Sequence, residues 1–204
     1  MTVDKKTKHA GPHSKRREPG SRRRGAALEQ ALLDATWEEL QAVGYGDLTM
    51  DGVAARAGTS KAVLYRRWPN RARLVLAAMR QHGGSIAGRP PDTGSLRRDV
   101  LAVLRHMRDR FVQIGADTVQ GILAELDDLP RDILEITPDL VTTMLERAAK
   151  RGEARPDRIT HRIASVPGDL LRHEMLTTRT APPDRVLAEI VDEVFLPLVR
   201  PCNQ

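Results

Sequence analysis

A short stretch of the chain, GTSKAVLYRRWPN at positions 58–70, combines positive charge with hydrogen-bond donors. Between Thr59 and Arg73 five residues are basic and none is acidic. Lysine and arginine neutralise phosphates, and arginine can also donate two hydrogen bonds to the edge of a guanine. The stretch also holds a tyrosine and a tryptophan, although aromatic residues make up only 3% of the chain. It therefore predicts a segment that packs against an apolar core on one side and meets a polyanion on the other.

Capping residues divide this region into two short helices. Thr49 can cap a helix from Met50 to Ala57, and Gly58 suits the end of that helix. Ser60 can cap a second helix from Lys61 to Trp68. This helix must stop before the proline that follows, because the residue ahead of a proline avoids the α-helical conformation. Two short helices joined by a turn of about three or four residues that contains glycine are typical of a helix-turn-helix.

The second of these helices has two different faces. Leu64 and Trp68, one turn apart, predict the face that anchors the helix to its neighbours. The opposite face carries Lys61, Ala62, Tyr65 and Arg66. We expect this second face to be exposed and to contact the phosphates and base edges of duplex DNA.

Longer helices are predicted on both sides of the two short ones. Apolar residues at helical spacing indicate a helix from Arg23 to Val43 that ends at Gly44, and Asn70 can cap a fourth helix from Arg71 to His82. A segment rich in glycine and proline, 83–94, predicts a linker. Five helical stretches follow it: Ser95–Gly115, Asp117–Leu129, Asp139–Arg151, Asp157–Thr177 and Asp184–Val199. The predicted fold class is all-α.

The formal charge of +6 is unevenly distributed along the chain. Residues 1–24 hold nine basic residues against two acidic ones, a net charge of +7, whereas residues 82–204 sum to −2. The N-terminal segment has few apolar residues, and we expect it to be disordered on its own. It is either a solubilising leader or an arm that lies along DNA phosphates. The predicted organisation is a basic arm at 1–22, a helix-turn-helix domain at 23–82 and a helical domain at 83–204.

Composition narrows the class of protein. No apolar run reaches the roughly 18–20 residues of a membrane span, and no apolar segment of a secretory signal follows the basic N-terminus. Cys202 is the only cysteine, which rules out an intramolecular disulfide and fits a reducing compartment. We therefore expect a cytoplasmic protein without membrane contact.

The motifs of common enzymes are missing from the sequence. There is no G-x-x-x-x-G-K-[ST] loop, no H-E-x-x-H and no G-x-S-x-G, and Gly44 and Gly46 lack the third glycine of a dinucleotide fingerprint. His161 and His173 do not have the close spacing of metal ligands. We expect no enzymatic activity, no cofactor and no metal site.

The stretch TMDGVAARAGTSKAVLYRRWPNRARLVLAAM, preceded by ALLDATWEELQAVGYGDL, closely resembles the N-terminal domain of the TetR family of bacterial transcriptional regulators. The resemblance covers about residues 24–80. Its features are a first helix ending in Gly-Tyr, a threonine cap, an Ala-Ala-x-Ala-Gly turn and a Leu-Tyr pair followed by basic residues. The resemblance places these residues at DNA: Thr49, Ser60, Lys61, Ala62, Val63, Tyr65, Arg66, Arg67 and Arg71. We add the turn residue Thr59 to these candidate contacts.

The residue types indicate different roles among these candidates. Lys61 and Arg66 are expected at base edges, and Ala62 and Val63 can meet a thymine methyl group. The others are expected to hold phosphates and so to set the register without reading sequence: Thr49, Ser60, Tyr65, Arg67 and Arg71. Two positions depart from the family pattern. Val63 stands where threonine is common, and Arg71 stands where lysine is usual.

The resemblance further implies a ligand-responsive repressor that acts as a homodimer on a near-palindromic operator. A C-terminal helical domain would bind an unidentified small-molecule effector and dimerise through the last two long helices, here about 156–177 and 183–199. Polar or soft residues within the apolar helices are the candidate effector contacts: His106, Met107, Phe111, Gln113, Gln120, Met144, His173 and Met175.

Two alternatives remain open from the residues alone. The protein could activate transcription instead of repressing it, because the sign depends on where the operator lies relative to a promoter. It could also coat DNA without sequence preference, as a basic tail and a basic helix would allow. The acidic-leaning second half, with its long apolar helices, favours a regulator, because a coating protein needs no such domain.

Overall fold

The structure is a computed structural model that describes residues 19–82, 90–126 and 131–201, and within these all side chains except those of 19–24 and 131–136. Every regular element in these residues is a helix, which confirms the all-α prediction. The predictions for residues 1–18, for the glycines between 83 and 89, for the end of the predicted helix 117–129 and for Cys202 fall outside the described residues.

The N-terminal domain consists of helices α1 (Pro19–Asp47), α2 (Met50–Arg56), α3 (Lys61–Tyr65) and α4 (Arg71–His82). Helix α1 begins four residues earlier than predicted, at a proline, which suits a first helical turn because no N–H partner is needed there. The helical conformation is interrupted at Gly44, the predicted end, where φ is +75°. Glycine has no Cβ and adopts this backbone conformation without strain.

Side chains from all four helices share one apolar core. Its buried members include Leu32, Leu40, Leu48, Val53, Leu64, Trp68, Leu74 and Val75. Leu64 and Trp68 therefore lie in the core, as predicted. Each buried leucine contributes about 1.5–3 kcal/mol relative to an exposed one, so this pair holds the short helix α3 in place.

The C-terminal domain consists of α5 (Leu96–Ile114), α6 (Ala116–Glu125), α7 (Arg131–Lys150), α8 (His161–Thr178), α9 (Asp184–Glu189) and α10 (Leu196–Val199). A 3₁₀ turn, Pro156–Arg158, precedes α8, and a π-helical turn, Ile190–Phe195, joins α9 to α10. The predicted continuous helix 184–199 is thus widened in its middle. Pro197 has no N–H to donate to the carbonyl of Glu193, so the α-helical ladder lacks a bond where the π turn lies.

Helix α7 extends further toward the N-terminus than predicted and passes through Pro138. A proline inside a helix removes one backbone hydrogen bond. Apolar burial offsets this loss, since Leu140, Val141 and Met144 on α7 are buried in the C-terminal core. The packing against α8 is close: a Cβ on Gly168 would lie 2.7 Å from Thr137 Cγ2.

Ion pairs connect α5 to the last helices. Asp184, in the first turn of α9, accepts hydrogen bonds from Arg105 and Arg108, and these bonds hold the pKa of its carboxyl below the usual value. Asp192 accepts two bonds from Arg97, at 2.6 and 2.7 Å. None of the described helices is both long enough and apolar enough to cross a membrane.

Helix α6 packs against the N-terminal domain. Ile122 is buried within the N-terminal core, and Leu126 packs against the same cluster. Gly121 faces Tyr45 so closely that a Cβ at this position would overlap the tyrosine ring. The two domains are therefore joined by apolar packing at the end of α1.

Candidate nucleic-acid interface

The turn between α2 and α3 is closed by local hydrogen bonds. The Gly52 N–H donates to Thr49 Oγ1 at 3.0 Å, so Thr49 caps α2 as predicted. At the other end Gly58 adopts φ +62°, and the Thr59 N–H donates to the carbonyl of Ala54 at 2.9 Å. This is the hydrogen bond of a Schellman motif, which requires a left-handed residue. These bonds set the angle at which α3 leaves α2.

Helix α3 begins after Ser60, whose backbone is extended as an N-cap requires. The Ser60 side chain makes no capping bond, however, so its oxygen accepts no hydrogen bond from the backbone of α3. The regular helix ends at Tyr65, three residues earlier than predicted. The Arg67 N–H bonds to Leu64 O with the tighter 3₁₀ spacing, while the Trp68 N–H still reaches the same carbonyl at 2.9 Å.

The two faces of α3 differ as the sequence predicts. Leu64 is completely buried, whereas Tyr65 is 46% exposed. Lys61, Ala62 and Arg66 are exposed on the same side as Tyr65. A helix with this face fits the width of the DNA major groove, where all four base pairs present distinct donors and acceptors.

Lys61 forms an ion pair with Asp51, a residue that the sequence analysis did not assign to the interface. Its Nζ lies 2.7 Å from Asp51 Oδ2 and 5.8 Å from the centre of the Tyr65 ring. The hydrogen bond to Asp51 raises the pKa of Lys61. Asp51 belongs to the first turn of α2 and is exposed. Its charge in the first turn of α2, the helix that packs against α3, is the signal that could have identified it.

Arg66 and Arg67 differ in their surroundings. Arg66 is exposed, and no carboxylate or carbonyl in the described part of the chain binds its guanidinium. Arg67 is half-buried, and its Nε has no hydrogen-bond partner among the described residues. A buried donor without a partner is costly. Because this Nε is not accessible in the structure, the Arg67 side chain would have to move before a phosphate oxygen could bind it.

Arg71 lies at the domain interface rather than on the exposed face of α3. Its Nη1 donates to the carbonyls of Tyr45 at 3.2 Å, Gly46 at 3.3 Å and Leu48 at 2.9 Å. Its Nε and Nη2 lie 2.8 and 2.6 Å from Glu125 Oε1. Sequence reasoning did not assign Glu125 a role. The phosphate contact predicted for Arg71 would require the guanidinium to exchange Glu125 for a phosphate.

The candidate effector contacts are distributed between the core and the surface of the C-terminal domain. Phe111, Met144 and Met175 are buried in its core, and Met107 packs against them. His106 and Gln120 are half-buried, whereas Gln113 and His173 are exposed. The Thr137 hydroxyl, 3.5 Å from the sulfur of Met107, is a buried polar group that sequence reasoning missed. Within the described ranges, no group of three His, Cys, Asp or Glu residues could hold a metal ion.

Two family models match the chain. Residues 32–78 match the model described as bacterial regulatory proteins, tetR family, and residues 90–194 match the tetracyclin repressor-like C-terminal domain. The first range contains the helix-turn-helix, and the second covers most of the C-terminal helices. Both parts of the chain are thus assigned to one family by independent models.

Solved structures share the fold. A TetR-family transcriptional regulator from Mesorhizobium loti aligns with a TM-score of 0.62 at 17% identity, covering 87% of this chain and 99% of that one. A complex of SmeT with triclosan aligns with a TM-score of 0.55, also at 17% identity, over 87% of this chain and 93% of that one. At this level of identity the likeness concerns the fold alone.

Curated relatives are similar in sequence over most of their length. An uncharacterized HTH-type transcriptional regulator of Mycobacterium tuberculosis is 37% identical over 177 residues, which are 83% of this chain and 86% of that protein. The DNA-binding transcriptional repressor TetR of Mycobacteroides abscessus is 32% identical over 185 residues, 87% of this chain and 97% of that protein. The chain belongs to the TetR family of DNA-binding transcriptional regulators, which are not enzymes.

Proposed function

We propose that this protein is a ligand-responsive repressor that acts in the cytoplasm as a homodimer on a near-palindromic operator. The observation that carries the proposal is the two-faced helix α3, with Leu64 buried and Lys61 and Arg66 exposed. The relative from Mycobacteroides abscessus bears the name of a repressor, which supports repression over activation.

The proposed contacts follow from the side chains that surround α3. Arg66 would read a guanine with two parallel hydrogen bonds, and Lys61 would reach a neighbouring base edge. Ala62 and Val63 would lie against thymine methyl groups. The hydroxyl and guanidinium donors at the rim would hold phosphates: Thr49, Thr59, Ser60, Tyr65 and Arg67. The Arg67 side chain would have to turn outward to hold a phosphate, which would also give its Nε the acceptor that it lacks.

The homodimer would form through α8 and the segment α9–α10. Val194 and Leu198, four residues apart near the end of the chain, are each 41% exposed although they are apolar. A second copy related by a two-fold axis would cover these side chains, since such a dimer uses the same surface of both subunits. A two-fold dimer presents two α3 helices, so its preferred site is an inverted repeat.

An apolar small molecule is the proposed effector class. The candidate contacts that lie in or against the C-terminal core are sulfur-containing or aromatic: Met107, Phe111, Met144 and Met175. Such side chains adapt to irregular apolar ligands. The structural neighbour solved with triclosan supports a small-molecule site in this fold. An effector would release DNA if it bound more tightly to a dimer shape whose two α3 helices no longer match the operator.

Selection of bound duplexes from a random pool, followed by footprinting of the selected sequence, tests the proposal. The purified chain is expected to enrich one inverted repeat and to protect both halves of it. Enrichment of no common sequence would contradict the proposal and would favour a DNA-coating protein. A reporter gene with the selected site inside its promoter then tests repression, and increased expression would contradict that part.

A further inference from the structure

Arg71, the first residue of α4, binds both α1 of the N-terminal domain and α6 of the C-terminal domain. Its Nη1 contacts three carbonyls at the end of α1, at 2.9–3.3 Å. Its Nε and Nη2 bind Glu125, the last residue of α6. The bond to Glu125 raises the pKa of Arg71 above its usual value. One guanidinium thus joins the ends of α1 and α6 to the start of α4.

The packing around this ion pair is close. The Arg71 guanidinium lies 4.7 Å from the centre of the Tyr45 ring, a cation–π distance. The same ring lies so close to Gly121 that a Cβ at this position would overlap it. Tyr45 is only 4% exposed. Helix α6 therefore cannot slide along α1 without breaking the ion pair or displacing a buried ring.

A second contact holds the other end of α4. Arg110 of α5 donates from Nη2 to the carbonyl of Met79 at 3.0 Å, and its guanidinium lies 6.0 Å from the centre of the Trp37 ring. Helix α4 is thus attached to the C-terminal domain at its start through α6 and near its end through α5. Two separated contacts fix an orientation, whereas a single contact would act as a hinge.

We propose that the Arg71–Glu125 pair determines which spacing between operator half-sites the homodimer accepts. This inference rests on the proposed function. Because dimerisation is assigned to the C-terminal domains, the angle at which each N-terminal domain leaves its C-terminal domain sets the distance between the two α3 helices. One extra base pair moves a half-site by about 3.4 Å and about one tenth of a turn, so a small change of this angle selects a different spacing. Arg71 is then a positioning residue rather than a phosphate contact.

Two variants break the pair in different ways. Glu125→Gln removes the negative charge and keeps the size of the side chain. Arg71→Lys keeps a positive charge that a phosphate could use, but one ammonium group cannot serve Glu125 and three carbonyls together. Asp117→Asn is the matched control, because Asp117 lies on the same helix α6 and pairs with Arg179 within the C-terminal domain.

Binding is measured on operators in which the spacer of the selected inverted repeat is shortened or lengthened by one or two base pairs. The wild-type chain and Asp117→Asn are expected to prefer one spacing. In Glu125→Gln and Arg71→Lys the ratio of affinities between the best spacing and its neighbours should fall by about fivefold or more. The base preferences within each half-site should not change, because α3 itself is unaltered.

The other possible results each contradict the positioning role of Arg71 or the proposed function on which it rests. Equal weakening on all spacings would show that the pair only stabilises the fold, and unchanged spacing preference would show that it does not position α3. If Arg71→Gln weakens binding and lowers the slope of log K against log salt by about 0.9, Arg71 contacts a phosphate. If the wild-type chain itself prefers no inverted repeat, the proposed function fails, and this inference fails with it.

Discussion

Lys61 Nζ lies 2.7 Å from Asp51 Oδ2, so an acidic residue of α2 holds the first residue of α3. Both side chains are exposed on the surface assigned to DNA. A carboxylate there repels phosphates and also competes with DNA for the lysine. We therefore expect the pair to lower the affinity of this surface for any duplex, because DNA must replace the bond between Asp51 and Lys61.

Asp51→Asn is expected to tighten binding to non-specific DNA more than binding to the operator. Removal of the carboxylate leaves Lys61 available to any phosphate, and the salt slope on non-specific DNA should steepen by up to about 0.9. Affinities on both kinds of duplex at several salt concentrations check this. Glu146→Gln on α7 is the control, since it changes net charge equally and lies in the other domain. Equal tightening by both variants would contradict a local role for Asp51.

Arg66→Ala is expected to relax base preference at one position of each half-site, by about 1–3 kcal/mol. The physical reason is that arginine donates two hydrogen bonds to guanine, and no other described residue binds its guanidinium in the free protein. Comparison of the sequences selected by the two chains checks this. A uniform loss of affinity across all sequences would instead identify Arg66 as a phosphate contact.

Leu64→Ala is expected to destabilise the N-terminal domain by about 2–5 kcal/mol, because it leaves a cavity under α3. The neighbouring Tyr65→Ala is the control: Tyr65 is exposed, and its loss should change the free energy of unfolding far less. Urea denaturation of the two variants measures the difference. Similar losses would mean that α3 is not anchored through Leu64.

The stability of the protein is expected to fall as the pH rises from about 10 to about 12. Burial, and to a lesser degree the charge of Glu125, raises the pKa of Tyr45 from 10.0 to about 12. Because the folded state holds this proton more tightly than the unfolded state, ionisation favours unfolding across that interval. Tyr45→Phe should lose this part of the pH dependence. Thermal unfolding of both chains between pH 9 and 12 checks it, and parallel curves would contradict it.

The helix-turn-helix could be predicted in detail because its determinants are close in the sequence. The Thr49 cap and the left-handed Gly58 act within one helical turn, and the spacing of Leu64 and Trp68 is enough to indicate the buried face of α3. Such interactions depend on local backbone geometry, which the residue types define directly. The resemblance to a known family added the identity of the polyanion and the expected dimer.

Features that depend on contacts between distant helices escaped prediction. The segment 184–199 has the periodicity of one helix, yet a π turn interrupts it, and α7 continues through Pro138 because its burial outweighs a lost hydrogen bond. The exposure of Gln113 and His173 likewise depends on how the helices pack, and their predicted contact with an effector stays a prediction. The type of a residue does not indicate which face of its helix packs against another helix.

The sequence by itself determined the all-α class, the position of the short helix α3 and the division between its apolar and cationic faces. Only the tertiary structure shows that Arg71 binds Glu125, 54 residues away, and that Tyr45 packs against Gly121. Helix propensities and caps are properties of neighbouring residues, whereas the partner of a charged side chain is chosen by how whole helices pack. That packing places Arg71, for which the sequence predicts a phosphate contact, between the two domains in the structure.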